Sequence, residues 1–329
     1  MTTDRRSPVA DPEVAVEVLL QALPYIEAFR GSVVVVKFGG NAMVDPGLFA
    51  SFASDIVWMH RVGIRPIVVH GGGPQIGHWM TRLGRESRFV DGRRVTDAET
   101  LEIAQMVLIG KVNSDIVTAL NANGPVAVGL SGTDASMLAA EPHDPELGFV
   151  GSVTEVHPAL IERTLAMDLV PVLATIGVDS KGQRYNINAD DAATAVARSL
   201  GAHKLVFLTD VAGLLADVED PSSLIAEINP ERIDRLVADG TIAGGWFPRW
   251  QGVPRLCAAE WVRCTSSTGD CHMCCCSSSS PMPVWGPWSA GTVGRAREHP
   301  FVVDGRGPAI PALPVDAHLR RAIGDVRAR

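Results

Sequence analysis

Apolar residues along this chain fall into two kinds of run. Short unbroken runs occur at Ser32 to Val36, Arg65 to Val69, Val126 to Leu130, Val170 to Ile176 and Lys204 to Leu208. Such runs read as strands buried on both faces, as in a parallel sheet. Between them, Pro46 to Val62, Asp97 to Asn123 and the alanine-rich Ala192 to Leu200 carry helical spacing. Strands alternating with helices predict an α/β fold around a mainly parallel sheet. The turn-rich stretch from Glu141 to Phe149 predicts a hairpin region, and Pro230 to Asp239 a short helix stopped by Gly240.

Asp11 to Arg30 is a further helical stretch, with Asp11 placed to cap it and Pro12 at its first turn. Pro24 interrupts the ladder, so a kink is expected there. Its stripe of Val14, Val16, Val18, Leu19, Leu20 and Leu23 must be covered, either by its own domain or by a partner subunit.

Two strands end in glycines. The first delivers Lys37-Phe38-Gly39-Gly40-Asn41, and the second, one helix later, His70-Gly71-Gly72-Gly73-Pro74. One intervening helix is the pattern of neighbouring parallel strands joined by a right-handed crossover, which puts both loops at the ligand-binding end of the sheet. Glycine lets backbone N–H groups close on phosphate oxygens, and lysine adds a point charge. Each loop alone could be a plain turn. Side by side they argue for a phosphate cradle.

Other candidates are less specific. His70 could act as a base, although a strand-end histidine is more often a hydrogen-bonded structural group. Arg93 and Arg94, beside Asp91, could clamp a carboxylate or form surface ion pairs. Asp190, in Asn186-Ile187-Asn188-Ala189-Asp190-Asp191, could cap the following helix, organise a metal or orient a lysine. Thr209-Asp210-Val211-Ala212-Gly213-Leu214 is another strand-end glycine turn.

Composition narrows the class. With 329 residues and 46% hydrophobic content the chain can bury a large core, as one α/β domain or two fused lobes. A net charge of −8 argues against a nucleic-acid binder. No stretch approaches the roughly 18–20 uninterrupted apolar residues of a membrane span, and the polar start lacks a signal-peptide centre, so a cytoplasmic protein is expected. All six cysteines lie between Cys257 and Cys276, and five of the seven tryptophans lie beyond Gly245. The chain changes character near Gly245.

The motifs at Lys37 to Met43, His70 to Gln75, Gly92-Arg93-Arg94-Val95-Thr96-Asp97, Asn186 to Asp190 and Thr209 to Gly213, in that order, closely resemble the amino acid kinase family, and within it the acetylglutamate kinases. The resemblance covers about residues 11 to 245. It implies a three-layer sandwich around the central sheet, with a kinked helical extension (1–30), a substrate lobe (31–180) and the start of a nucleotide lobe (181–245). It implies MgATP as phosphoryl donor and N-acetyl-L-glutamate as acceptor. Lys37 resembles the lysine that stabilises the transferring phosphoryl group, and Asp190 the acid that orients the catalytic lysines. Gly39 and Gly40 resemble the loop around the ATP phosphates, and Thr209, Asp210, Gly213 and Leu214 part of the nucleotide site. Gly72 and Gly73 resemble the loop at the acceptor's γ-carboxylate, Arg94 the clamp on its α-carboxylate, and Asn186 a substrate-binding asparagine. The amino-terminal helix resembles the extension of arginine-inhibited, hexameric members, which implies a homo-oligomer and feedback inhibition. A relative acting on aspartate, glutamate or carbamate, and a non-catalytic ligand-binding homologue, remain the alternatives.

From about residue 246 the family pattern stops. Its Met-(Ile or Val)-Pro-Lys-Met, His-Val-Ile-Asp-Gly and Phe-Thr-Asp-(Ala or Glu)-Gly-(Ile or Val)-Gly-Thr-Met segments are missing. Codons exist for Trp246 to Trp250, Thr265 to Gly269 and Ser280 to Trp288 that, read one base earlier, restore all three in order. We therefore read 246–329 as a misframed tail that lacks the second catalytic lysine and the strands completing the nucleotide lobe, so the chain as written is expected to have little or no kinase activity and a disordered or misfolded tail. Cys271 and Cys274 with His272 offer a weaker zinc reading, because Cys275 and Cys276 are contiguous and no clean second pair exists. A cytoplasmic setting disfavours disulfides.

Overall fold

The computed structural model describes residues 12–122, 124–209, 261–264 and 272–278. Helix α1 (Pro12–Phe29) leads into strand β1 (Val33–Phe38), α2 (Pro46–Arg61), β2 (Arg65–His70) and α3 (Gly73–Arg82). A short hairpin, β3 (Phe89–Val90) and β4 (Arg93–Arg94), precedes α4 (Ala98–Gln105) and α5 (Ser114–Asn121). Then follow β5 (Ala127–Ser131), β6 (Leu138–Pro142), β7 (Val150–Val156), α6 (Ala159–Ala166), β8 (Val170–Ala174), β9 (Ile176–Val178), β10 (Arg184–Ile187), α7 (Ala189–Ser199) and β11 (Lys204–Thr209). Two tail segments, β12 (Trp261–Cys264) and β13 (His272–Ser278), complete the described elements.

The main sheet runs β12-β13-β11-β1-β2-β8-β5, with the five strands from β11 to β5 mutually parallel. Strand β1 shows why the valine run forms its centre. Val34, Val36 and Phe38 face Phe52, Ile56, Met80 and Ile116 on one side, while Val35 joins Ile67, Val69, Ile161 and Val196 on the other. Period-two alternation thus buries apolar groups on both faces, at about 1.5–3 kcal/mol per large side chain. Phe38 stacks on Phe52 with ring centroids 3.8 Å apart. Helices cover both faces, and β10-β7-β6-β9 close a small barrel on the α7 side.

Several elements differ from the sequence expectation. The helix expected from Asp97 to Asn123 begins after an Asp97 cap, whose carboxylate accepts from Thr100 N at 2.7 Å, but widens into a π-helical stretch at Met106–Asn113 before α5. By length and composition this run, Ala98–Asn121, could cross a membrane. One face of it packs in the core, with Leu101, Ala104, Leu108, Val112, Ile116 and Leu120 buried, while Met106 and Ile109 on the other are exposed. The strand expected over Val170 to Ile176 divides at Thr175, because β9 leaves the main sheet to pair with β10 in the barrel. Helix α1 continues through Pro24, and its Val14, Val16, Val18, Leu19, Leu20 and Leu23 are exposed, so the rest of the described chain leaves the stripe uncovered. Its cap, Asp11, lies outside the described residues, as do Pro230 to Asp239 and Gly240.

The misframed reading expects the strands beside β11 to be lacking. The structure instead sets β13 antiparallel to β11, and β12 antiparallel to β13. Ladder hydrogen bonds use only backbone groups, so an open strand edge accepts segments of unrelated sequence.

Candidate active site

Strands β1 and β2 lie side by side in parallel, with Phe38 opposite His70, so both glycine loops leave the same end of the sheet. Gly71 N donates to Phe38 O at 2.9 Å, tying the loops together at their base. They bound one cleft of about 260 Å³, with Gly39 and Gly40 on one side and Gly72 and Gly73 on the other. Lys37, Arg94, Asn186 and Asp190 also line it.

Lys37 is buried, and its Nζ lies 2.9 Å from Asp190 Oδ1. A Cβ added at Gly39 would stand 3.1 Å from that Nζ, so the ammonium rests over the first loop where a side chain would crowd it. The sequence left open whether Asp190 caps α7. Asn188 does so instead: its Oδ1 accepts from Asp190 N at 2.8 Å and Asp191 N at 3.3 Å. The Asp190 carboxylate is thereby available to hold the lysine.

Arg94 is 7% exposed, and burial pulls its pKa below the ordinary arginine value. Its Nη2 donates to Gly73 O at 2.8 Å, its Nη1 donates to Ser87 Oγ, and its guanidinium sits 4.7 Å above the Phe89 ring. The arginine is therefore tied directly to the second glycine loop. Thr96 Oγ1 donates to Arg94 O at 2.8 Å and lies 3.3 Å from Asn186 Nδ2, which links Asn186 to the same wall. Arg93 lines the same cleft and pairs with Asp191 at 2.8 Å; burial pushes that aspartate's pKa up, and the arginine opposes the rise. Thr209 ends β11, whereas Asp210, Gly213 and Leu214 lie outside the described residues.

Sequence reasoning gave no role to Asn188 or Asn113. Asn188 was legible as a short polar residue directly before a helix. Asn113 carried no signal, because its burial follows from the π-helical stretch. Its Nδ2 donates to Val172 O at 2.8 Å and to His70 Nε2 at 3.0 Å. His70 Nε2 must then accept, which leaves the proton on Nδ1 to donate to Gly71 O at 2.9 Å. His70 is fully buried beneath the cleft, and desolvation lowers its pKa to about 4.

That shift has a sign. A histidine of ordinary pKa in the unfolded chain gains a proton below about pH 6.5 that the folded state refuses until about pH 4. Its contribution to stability is full above pH 6.5 and is lost as pH falls towards 4, at up to about 1.4 kcal/mol per unit and roughly 3 kcal/mol in total. In urea titrations at pH 7.5, 6 and 5, His70→Asn should lose stability less steeply than the parent by up to about one proton. Equal slopes would contradict a buried neutral His70.

A sequence model of the amino acid kinase family matches residues 32–246. The chain belongs to the amino acid kinase family. It is 49% identical over 240 residues to the chloroplastic acetylglutamate kinase of Arabidopsis thaliana, covering 72% of this chain and 69% of that protein. To the acetylglutamate kinase of Halorhodospira halophila it is 48% identical over 252 residues, covering 73% and 83%. Among solved structures, smu.665 from Streptococcus mutans superposes with a TM-score of 0.63 at 28% identity, covering 70% of this chain and 92% of that one. The match to the amino acid kinase family ends at residue 246, where cysteine and tryptophan become abundant.

Proposed function

We propose that this chain descends from, and is built as, an enzyme that transfers the γ-phosphoryl group of MgATP to the side-chain carboxylate of N-acetyl-L-glutamate, a step of arginine biosynthesis in the cytoplasm. The observation that carries the reading is Lys37, held by Asp190 between two glycine loops that share one cleft. Acetylglutamate kinases at 48–49% identity support the choice of acceptor.

In this reading a carboxylate oxygen of the acceptor attacks the γ-phosphorus in line, the bond to the β-phosphate oxygen breaks, and ADP leaves with the acyl phosphate formed. An ionised carboxylate has no proton to lose, so no general base is needed, and catalysis reduces to positioning and charge neutralisation. Gly39 and Gly40 lie along the ATP phosphates, and Thr209, Asp210, Gly213 and Leu214 belong to the nucleotide site. Gly72 and Gly73 face the acceptor's side-chain carboxylate, while Arg94 and Asn186 take its α-carboxylate end. Mg²⁺ travels with the nucleotide as part of the substrate. Residues 31–180 form the acceptor lobe, and the nucleotide lobe begins at 181. The uncovered stripe of α1 supports a homo-oligomer in which a second copy packs on it, with arginine as feedback inhibitor.

Calorimetric titration of the full chain tests the acceptor. N-acetylglutamate should bind, and aspartate, glutamate and carbamate should not compete. Arg94→Ala should weaken acetylglutamate binding by about 10–150-fold, the loss expected for one charge-assisted clamp worth about 1.5–3 kcal/mol. Equal binding of all four ligands, or an unaffected Arg94→Ala variant, would overturn the reading.

A further inference from the structure

Beneath the cleft runs a relay that none of the proposed contacts uses. Asn113, brought inward by the π-helical stretch, donates to His70 Nε2, and His70 Nδ1 donates to the carbonyl of Gly71. The 71–72 peptide is trans, and in a trans peptide the carbonyl and the following N–H point to opposite sides. Drawing the Gly71 carbonyl down onto the buried histidine therefore turns the Gly72 N–H up, towards the cleft that Gly71, Gly72 and Gly73 line.

The fit around this relay is tight. A Cβ at Gly129, on β5, would stand 1.9 Å from Asn113 Oδ1, so only glycine admits the amide. A Cβ at Gly72 would stand 2.6 Å from Leu108 Cδ2, so the loop is seated on a side chain of the same π-helical stretch. Asn113 cannot readily rotate, because Nδ2 is also engaged by Val172 O at 2.8 Å. Among the described residues no acceptor meets the Gly72 N–H, whereas the Gly72 carbonyl accepts from Ile76 N at 2.8 Å.

We infer that His70 and Asn113 are positioning residues that aim the Gly72 amide at the side-chain carboxylate of the acceptor. The inference rests on the acetylglutamate reading, and assigns the floor of that site a function in ligand discrimination rather than in stability alone. A fixed donor at this point favours an acceptor that ends in a carboxylate over one that ends in a methyl group, because only the former supplies charge to the N–H.

The test uses the full chain and two ligands, N-acetylglutamate and N-acetyl-2-aminobutyrate, which lacks the side-chain carboxylate. His70→Asn places an amide N–H where Nδ1 was and keeps the bond to Gly71, whereas His70→Gln places it where Nε2 was and loses that bond. Titration should show His70→Gln weakened about 10-fold for acetylglutamate and unchanged within about 2-fold for the analogue, with His70→Asn within about 3-fold of the parent for both. Asn113→Leu, which frees the imidazole to change tautomer, should behave like His70→Gln and serves if that variant does not fold. Equal weakening for the two ligands, or a His70→Asn variant no better than His70→Gln, would reduce the pair to structural support and overturn the inference. If the parent chain binds the analogue but not acetylglutamate, or neither, the acetylglutamate reading itself falls and this inference falls with it.

Discussion

A version of this chain read one base earlier from residue 246 onward should form acyl phosphate from acetylglutamate and ATP about 10²–10³-fold faster than the chain as it stands, because a single preorganised charge is worth about that much in rate and the restored frame supplies the second lysine of the family pattern. Lysines occur only at Lys37, Lys111, Lys181 and Lys204. Lys111 pairs with Asp115 on an exposed helix face, Lys181 is exposed in a turn, and Lys204 packs over the Phe29 ring at the opposite end of β11 from Thr209. Lys37 is thus the only lysine that lines the cleft among the described residues. The second lysine of the family pattern falls, in the restored frame, across the codons of Pro248 and Arg249. Arginine there is a poor substitute, since a planar fork and a compact ammonium neutralise a transferring phosphoryl group differently. The family match ends at residue 246, just before that point. Hydroxamate trapping with both proteins measures the difference, and robust turnover by the chain as it stands would refute the frame argument.

Most of the architecture was legible because the sheet is parallel and doubly covered. Val33 to Val36 and Ile67 to Val69 can only be interior strands, and the glycines after them mark where the chain leaves the sheet. Lys37, Asp190, Arg94, Asn186 and the two glycine pairs do share one cleft. Less visible was anything that depends on helical phase. The widened stretch at Met106–Asn113 carries no mark of its own in the apolar period, and within it the polar Asn113 is buried. Thr175 likewise gives no sign that the strand through it changes sheets; its Oγ1 donates to His70 O at 3.4 Å, a contact fixed by tertiary packing. Asp190 was ambiguous in sequence because a cap and a lysine partner are the same residue type, and only the Asn188 hydrogen bonds separate the roles.

The second large effect concerns Lys37. Its ammonium is held over Gly39 by Asp190, so in the proposed reaction it would need little reorganisation as negative charge builds on the transferring phosphoryl oxygens, and preorganised charge in a buried site is usually the largest single contribution to such a reaction. Lys37→Met keeps most of the side-chain volume and removes the charge. The ion pair then no longer restrains Asp190, but the acceptor's contacts at Arg94 and the second glycine loop remain. Binding should be spared and turnover should not, the signature of an interaction made in the transition state.

Single-turnover phosphoryl transfer by the frame-restored enzyme, with and without Lys37→Met, measures this directly. The account predicts a rate lowered by about 10²–10³ with the acetylglutamate dissociation constant within about 3-fold of the parent. A variant that transfers the phosphoryl group at the parental rate would contradict it.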